Sequence, residues 1–457
     1  MTPHAVISGR GGDAAVRRLL VGAHARRRLA GELTAMVAGD HAIAGMRLHR
    51  AKLKPGRKLS GWYTVDVLCP DGRRVQREVA VTWTAAEAGA DTGAEEAATL
   101  DRDALDRGLA TPFRTLERRL PRSGMRIRAF PLDPDFPSLI RLTGPDFASG
   151  PLPLAPGRPC RLAVIRYRPG ERHVLRYASL GRGPGASIIF VKLHREGEGP
   201  YRRTAAVADW LSRQGTPVAA LRPLAWLPAE RATVYPCAEG TPSRADLPAL
   251  QRAGAALRVL HSGPPNLVAE ADPHDLDAEL AAVRRACEHI GALLPSAAPE
   301  VTAVLRDVRK AYGRLPGEQH TLIHGDFKLD HIWPSSERLT LLDLDRCCPG
   351  DPAFDVGKLL ADLRCRFALA GRTGIADAQR AFLDGYGWAS SPRLERARVY
   401  EAAMLLKLAA RRVPVFHPRW ADLTVALVSA ARTTLEDLAT PYPPQTHHRR
   451  RTAEVGA

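Results

Sequence analysis

Residues 322–357 constrain this chain more than any other stretch. Leu322-Ile323-His324-Gly325-Asp326-Phe327-Lys328-Leu329-Asp330-His331-Ile332 reads as a short apolar strand that ends on a tight turn. Gly325 permits backbone angles that other residues resist, so Asp326 is delivered at the tip of that turn. A second apolar run, Leu341-Leu342-Asp343-Leu344-Asp345-Arg346, delivers Asp343, 343 − 326 = 17 residues later. Gly350-Asp351-Pro352-Ala353-Phe354-Asp355 then opens a helix. Two carboxylates at the ends of neighbouring strands suit phosphoryl transfer. One can accept a hydroxyl proton, and the other can hold a divalent cation against phosphate oxygens.

The rest of the chain must build a scaffold around that segment. Its 457 residues leave room for two to four compact units. Apolar residues make up 45% and charged residues 25%, which is ordinary globular usage and excludes wholesale disorder. The net charge is +17, but the basic residues are mostly Arg and are scattered. Only His447-His448-Arg449-Arg450-Arg451 forms a dense run, in a tail over 441–457 read as disordered. Nucleic acid is therefore not expected as a partner. The seven cysteines are odd in number and include no C-x-x-C pair, which argues against a disulfide framework or structural zinc site. Cys347 and Cys348 read as small buried hydrophobes. No apolar stretch approaches bilayer length and no signal-like segment opens the chain. A soluble, cytoplasmic protein is expected, with no membrane partner and an oligomeric state left open.

Residues 1–45 carry helical periodicity. Arg47–Trp83 read as strands around a Cys69-Pro70-Asp71-Gly72 turn, and 84–125 as helix and linker. Phe130–Pro134 and Pro151–Pro159 are Pro-rich connectors. A second strand cluster covers Leu162–Tyr167, Val174–Tyr177 and Ile188–Leu193. The two clusters are alike. Lys54-Pro55-Gly56-Arg57-Lys58 leads to Gly61-Trp62-Tyr63, and Arg168-Pro169-Gly170-Glu171-Arg172 leads to Leu175-Arg176-Tyr177. This suggests an internal duplication of one hairpin unit, with Thr82 near the place of Lys192. From 200 onward the pattern is mostly helical.

The His324–Asp355 segment resembles the aminoglycoside phosphotransferase and choline kinase-like branch of the protein kinase-like fold. That family's pattern is H-G-D-x-x-x-x-N, then a strand with I-D, then D-P-x-x-D, and the resemblance spans about residues 130–435. It implies an α+β, two-lobed protein kinase-like fold, with a small β-rich N-lobe and a mostly helical C-lobe. An additional α+β domain would precede it. The divisions expected are an N-terminal domain over 1–127, an N-lobe and hinge over 128–238, and a C-lobe over 239–440. The resemblance implies Asp326 as catalytic base, His324 as a brace for the loop, Asp343 as a metal ligand and Asp355 as an orienting carboxylate. ATP and Mg2+ are the implied cofactors, and a small-molecule hydroxyl is the implied acceptor.

One position departs from the pattern: 326 + 5 gives His331 where the family usually has Asn and sometimes Gln. Mg2+ prefers oxygen. Either His331 ligates through nitrogen, or Asp330 or Asp345 adds an oxygen, or the site is impaired; Asp345 is slightly preferred as the additional carboxylate.

Lys192 stands alone between Lys58 and Lys310, inside the apolar strand Ile188–Leu193, and is the candidate phosphate cation. The helix Tyr201–Gln214 should offer it a Glu but carries Thr204 at that register. Glu196 and Glu198 lie upstream. Thr233–Gly240 resembles the hinge, which makes Val234, Tyr235 and Cys237 candidates for holding the nucleotide base. Two functions are open: a small-molecule kinase acting on a sugar, aminoglycoside or amino-alcohol, or a catalytically impaired kinase-like module that binds nucleotide or a partner. The acidic run Glu270, Asp272, Asp275, Asp277 and Glu279 would favour a cationic acceptor if it lined the cleft.

Overall fold

Two hairpins closed by Pro-Gly turns organise the first half of the chain, as seen in a computed structural model describing residues 3–84, 93–145, 147, 152, 160–179, 188–387 and 391–438. Most of the Pro-rich run 151–159 and the basic tail lie outside the described residues. The first sheet contains β1 (Ala42–Lys54), β2 (Lys58–Leu68), β3 (Arg74–Thr84), β4 (Glu117–Leu120) and β5 (Met125–Ala129). Its strand order is β1-β2-β3-β5-β4. The second contains β6 (Cys160–Arg168), β7 (Arg172–Ser179) and β8 (Ile188–Leu193). After β9 (Val218–Ala220), which joins another sheet, it is completed by β10 (Ala225–Leu227) and β11 (Ala232–Pro236). Its order, β10-β11-β8-β7-β6, is the first sheet's order read from the other end. In each sheet a helix follows the third strand: Ala94–Asp106 in the first and Gly199–Ser212 in the second.

The registers match as well. Lys54 faces Lys58 across the first turn, and Arg168 faces Arg172 across the second. Two residues further along, Ser60 faces Thr82 and Val174 faces Lys192. Thr82 therefore stands at the register position of Lys192. The stretch 84–125, expected as helix and linker, also supplies β4 and most of the approach to β5. These strands were hidden because they are short and Arg-rich. Their signal is only the alternation of buried Met125, Ile127 and Ala129 with half-buried Arg126 and Arg128.

β2 is buried on both faces, its polar Ser60 and Thr64 included. Tyr63, Val65, Val67, Val81 and Trp83 pack with Val16, Leu20 and Leu33 of the N-terminal helices. From the other face, Trp62 and Ala80 join a core with Phe130, Tyr167, Tyr177 and Val191. The N-terminal helices also reach the helical half. Gly9 has φ 81°, and a Cβ there would lie 2.9 Å from the Ala292 carbonyl. Arg17 donates to the Pro418 carbonyl at 3.1 Å.

The second half is helical, as a C-lobe should be. Leu247–His261, Leu276–Leu293, Ala298–Tyr312, Ala353–Ala370, Ile375–Tyr386, Ser391–Arg412 and Trp420–Leu438 surround two small sheets. One pairs β12 (Thr321–Ile323) with β15 (Cys348–Gly350). The other aligns β13 (Ile332–Pro334), β14 (Leu339–Leu341) and β9. These strands carry the loops of the candidate site to the junction with the second five-stranded sheet. The expected two-lobed α+β architecture is present.

Candidate active site

The loop after β12 is held from below by a single carboxylate. Asp355, fully buried in the first turn of the helix Ala353–Ala370, accepts from the His324 N–H at 2.6 Å and the Gly325 N–H at 3.0 Å. His261 Nε2 lies 3.3 Å from the same group. Burial pushes the Asp355 carboxyl up, but His261 and the His324 donor outweigh it, so it rests below its usual value. Gly325 has φ 72°, and a Cβ there would meet the Arg346 carbonyl at 2.3 Å. The loop is thus pressed against the turn that follows Asp343. His324 ties the two together. Its Nδ1 accepts from the Asp326 N–H at 3.3 Å, and its Nε2 donates to the Leu342 carbonyl at 3.0 Å.

This bracing leaves Asp326 facing Asp343. Both oxygens of Asp326 are engaged by lysines: Lys328 at 2.6 Å and Lys358 at 2.8 Å. Burial alone would raise its pKa, but Lys358, Lys328 and His331 hold it well below the carboxylate range. The group is ionised at any physiological pH. Each oxygen retains a lone pair for a hydroxyl donor. Neither lysine was singled out from sequence. Their signal was there: the chain has only eight Lys against 66 − 8 = 58 Arg, and of the eight Lys328 sits within this motif and Lys358 just past its end.

Asp343 adopts the left-handed conformation, with φ 59°, which costs of the order of 1–3 kcal/mol for a non-glycine residue. That turn aims its carboxylate at Lys192, 2.5 Å away, and at His331 Nε2, 3.3 Å away. Lys192 also pairs with Asp345. Arg172, the first residue of β7, comes within 3.7 Å of Asp343 and 3.6 Å of Asp345. Thr204 is buried and donates to the Pro200 carbonyl, so its helix offers Lys192 no carboxylate. Glu198 pairs instead with Arg202. Asp343 and Asp345 are the carboxylates that bind Lys192 among the described residues.

Asp326, His331 and Asp343 can each present one ligand atom within 4.8 Å of the others. Asp345, expected as the additional carboxylate, belongs instead with Lys192 and Arg172, and Asp326 completes the group. Asp330 turns away to Arg366 and Arg412, at 2.7 and 3.0 Å. The orientation of His331 decides whether a cation fits. Its Nδ1 donates to the Asp326 carbonyl at 3.0 Å, leaving the Nε2 lone pair directed at a carboxylate. Burial lowers the imidazole to about 3, so it is neutral. Two acceptors 3.3 Å apart repel unless a cation lies between them. The donor set therefore fits a divalent cation, although it is a mixed oxygen and nitrogen set, which Mg2+ tolerates less well than oxygen alone.

The hinge residues are partly committed to the sheet. β11 lies between β10 and β8, and the Val234 carbonyl accepts from the Leu224 N–H at 2.8 Å. The Cys237 N–H donates to the Ile188 carbonyl at 3.2 Å. Tyr235 pairs with Phe190 across the β11–β8 ladder. Of the acidic run 270–279, Asp275 caps a helix, Asp277 pairs with Arg309, and Glu279 pairs with Lys407. Cys347 and Cys348 are free thiols pushed up by burial, Cys348 to about 11, so neither is a nucleophile at neutral pH.

The buried imidazoles make stability sensitive to acid. Burial holds His331 near 3 and His194 and His289 near 4. Unfolded, each would take a proton around 6.5. Below that pH the unfolded chain binds more protons, so stability rises with pH across roughly 4–6.5 and is lost on acidification. Moving from pH 7 to pH 5 is expected to cost of the order of 1–2 kcal/mol per imidazole. Thermal melts across that range check this, and an unchanged melting temperature from pH 7 to pH 5 would show that the three rings are not buried neutral.

A bracing His-Gly-Asp loop, a facing Asp and a strand Lys across a cleft are the parts that a kinase-like phosphotransferase would use. Residues 180–400, a little under half of the chain, match the model of the APH family, described as the phosphotransferase enzyme family. By that match this part of the chain is similar to phosphotransferases. No curated protein matches it. Among solved structures it is similar to a choline/ethanolamine kinase family protein from Mesorhizobium loti, at 18% identity and TM-score 0.44, covering 61% of this chain and 93% of that one. It is also similar to a macrolide 2′-phosphotransferase from Brachybacterium faecium, at 18% identity and TM-score 0.37, covering 63% and 96%. A choline kinase from Cryptosporidium parvum Iowa II gives 7% identity and TM-score 0.45, covering 61% and 90%. Among the described residues, no helix is long and apolar enough to cross a membrane.

Proposed function

We propose that this protein moves the γ-phosphate of ATP to a hydroxyl of a small molecule such as a sugar, aminoglycoside or amino-alcohol. The observation that carries this reading is Asp326 facing Asp343, with His331 between them. Asp326 accepts the acceptor's hydroxyl proton and orients its oxygen. Lys328 and Lys358 keep Asp326 ionised and supply positive charge beside the transferring group. Lys192 and Arg172 bind phosphate oxygens. Asp343 and His331 would hold Mg2+, which supplies charge neutralisation of the phosphates when bound. Tyr235 and the hinge around it would border the base.

The charges rank the acceptors. Lysines flank Asp326, and three of the five acids in 270–279 are already used. An uncharged polyol fits these surroundings better than a polycation. The test is ADP release with ATP and Mg2+ across sugars, aminoglycosides and amino-alcohols; stimulation by none of them would sink the reading.

The second reading, an impaired nucleotide-binding module, is favoured by His331 in place of an oxygen ligand. His331→Asn discriminates. It is expected to tighten Mg2+ binding by up to about tenfold and raise turnover. Unchanged Mg2+ dependence would mean that residue 331 is not a ligand.

The first sheet is read as a degenerate copy of the second, supported by the shared strand order and register, with Thr82 in place of the phosphate-binding Lys192.

A further inference from the structure

The first sheet presents one face to a cavity of about 380 Å³ that lies outside the catalytic cleft, a volume typical of small-molecule sites. Alternate residues of four strands line it: Lys52 and Lys54 from β1, Lys58, Ser60 and Trp62 from β2, Thr82 and Thr84 from β3, and Arg126 and Arg128 from β5. Its remaining wall includes Asp135, Arg195 and the Pro169-Gly170-Glu171 turn between β6 and β7. Six lining residues are cationic and two are acidic. Glu171 is taken by Lys52 at 2.6 Å and Asp135 by Arg195 at 2.5 Å. Among the described residues, Lys54 and Lys58 have no carboxylate within ion-pair distance. Three of the chain's eight lysines meet here in a protein that otherwise uses Arg. Like charges gathered around a concave, partly dry space favour an anionic occupant. Burial and the neighbouring Lys54 also push the Lys58 ammonium down, a strain that an anion would relieve.

The chemistry of the wall narrows the class. Ser60 and Thr82 hydroxyls stand 3.3 Å apart beside the ammonium groups, and Trp62 supplies a flat apolar surface. Hydroxyl and ammonium donors recognise phosphate oxygens, and an indole face suits an organic body. We propose that this cavity binds a multiply charged phosphate compound, at a second site distinct from the catalytic cleft. Its occupant also bears on the cleft. The turn that walls the cavity with Gly170 and Glu171 sends Arg172 to Asp343 and Asp345 from its far end. Filling the cavity competes for Lys52, frees Glu171 and shifts the balance of charge on that turn.

Titration calorimetry of the full chain with inorganic pyrophosphate, in metal-free buffer, tests the site. A parallel arm with fructose 1,6-bisphosphate asks whether the organic body adds affinity, which separates an organic phosphate from an inorganic one. The double variant Lys54→Gln/Lys58→Gln is expected to weaken binding about tenfold or more, while Lys192→Ala, in the cleft, leaves this binding within about twofold. Hydrogen exchange on the unaltered chain should show pyrophosphate protecting residues 52–60 and 168–172, which needs no variant to fold. Absence of binding at millimolar pyrophosphate, or loss of binding in Lys192→Ala but not in the double variant, overturns the proposal.

Discussion

Asp326→Asn is expected to lower phosphoryl transfer about a thousandfold while leaving ATP affinity within a few-fold of the unaltered protein. The reasoning rests on what the substitution keeps and removes. Asn preserves the size of the side chain, so Lys328 and Lys358 lose a charge partner but no packing. What disappears is the carboxylate that takes the hydroxyl proton in the proposed reading. Lys192 and Asp343, which face the phosphates in the proposed reading, are untouched. Single-turnover transfer and nucleotide titration read the two effects separately. Retained turnover in Asp326→Asn would remove Asp326 from the proton-accepting role.

Asp355→Ala should be the most damaging substitution for the fold. The carboxylate is fully buried and holds the N–H groups of His324 and Gly325 together with His261. Removing it leaves buried donors without acceptors and a cavity inside a helix start. Breaking a buried charged network of this kind costs about 3–5 kcal/mol. Activity should fall with stability, because the same loop carries Asp326. Asp355→Asn keeps an acceptor oxygen and should recover part of both. Denaturant melts with a cost under about 1 kcal/mol for Asp355→Ala would mean that the loop holds itself.

The juxtaposition of Asp326 and Asp343 was legible because both stand on consecutive turns that end short apolar strands. Lys192 was legible for a different reason, its isolation in an Arg-rich chain. The partners of Asp326 were harder to read. Lys358 reaches it from the second turn of a helix, a placement that depends on how that helix docks. Asp345 lies in a short 3-10 turn, whose side-chain directions no simple alternation gives. Two residues beyond Asp343, it keeps the same general side but meets Lys192 instead of His331. The cavity on the first sheet was invisible because its wall gathers residues from 52 to 195, and no local pattern marks every second residue of four strands as one surface. β4 and β5 escaped because Arg at alternate positions looks like a charged linker until the sheet forms.

The contacts of the first sheet and its helices give the molecule an uncommon mechanical character. Trp62 and Ala80 are embedded in the core of one lobe, while Gly9 abuts Ala292 and Arg17 reaches Pro418 in the other. The N-terminal unit is thus a strut fastened at both ends across the cleft. Rotating the lobes apart must shear one of its two footings, so the stiffness of the active site is set partly by packing far from it in sequence. A lesion such as Gly9→Val, which touches no catalytic group, would loosen the cleft as a slipped brace loosens a frame.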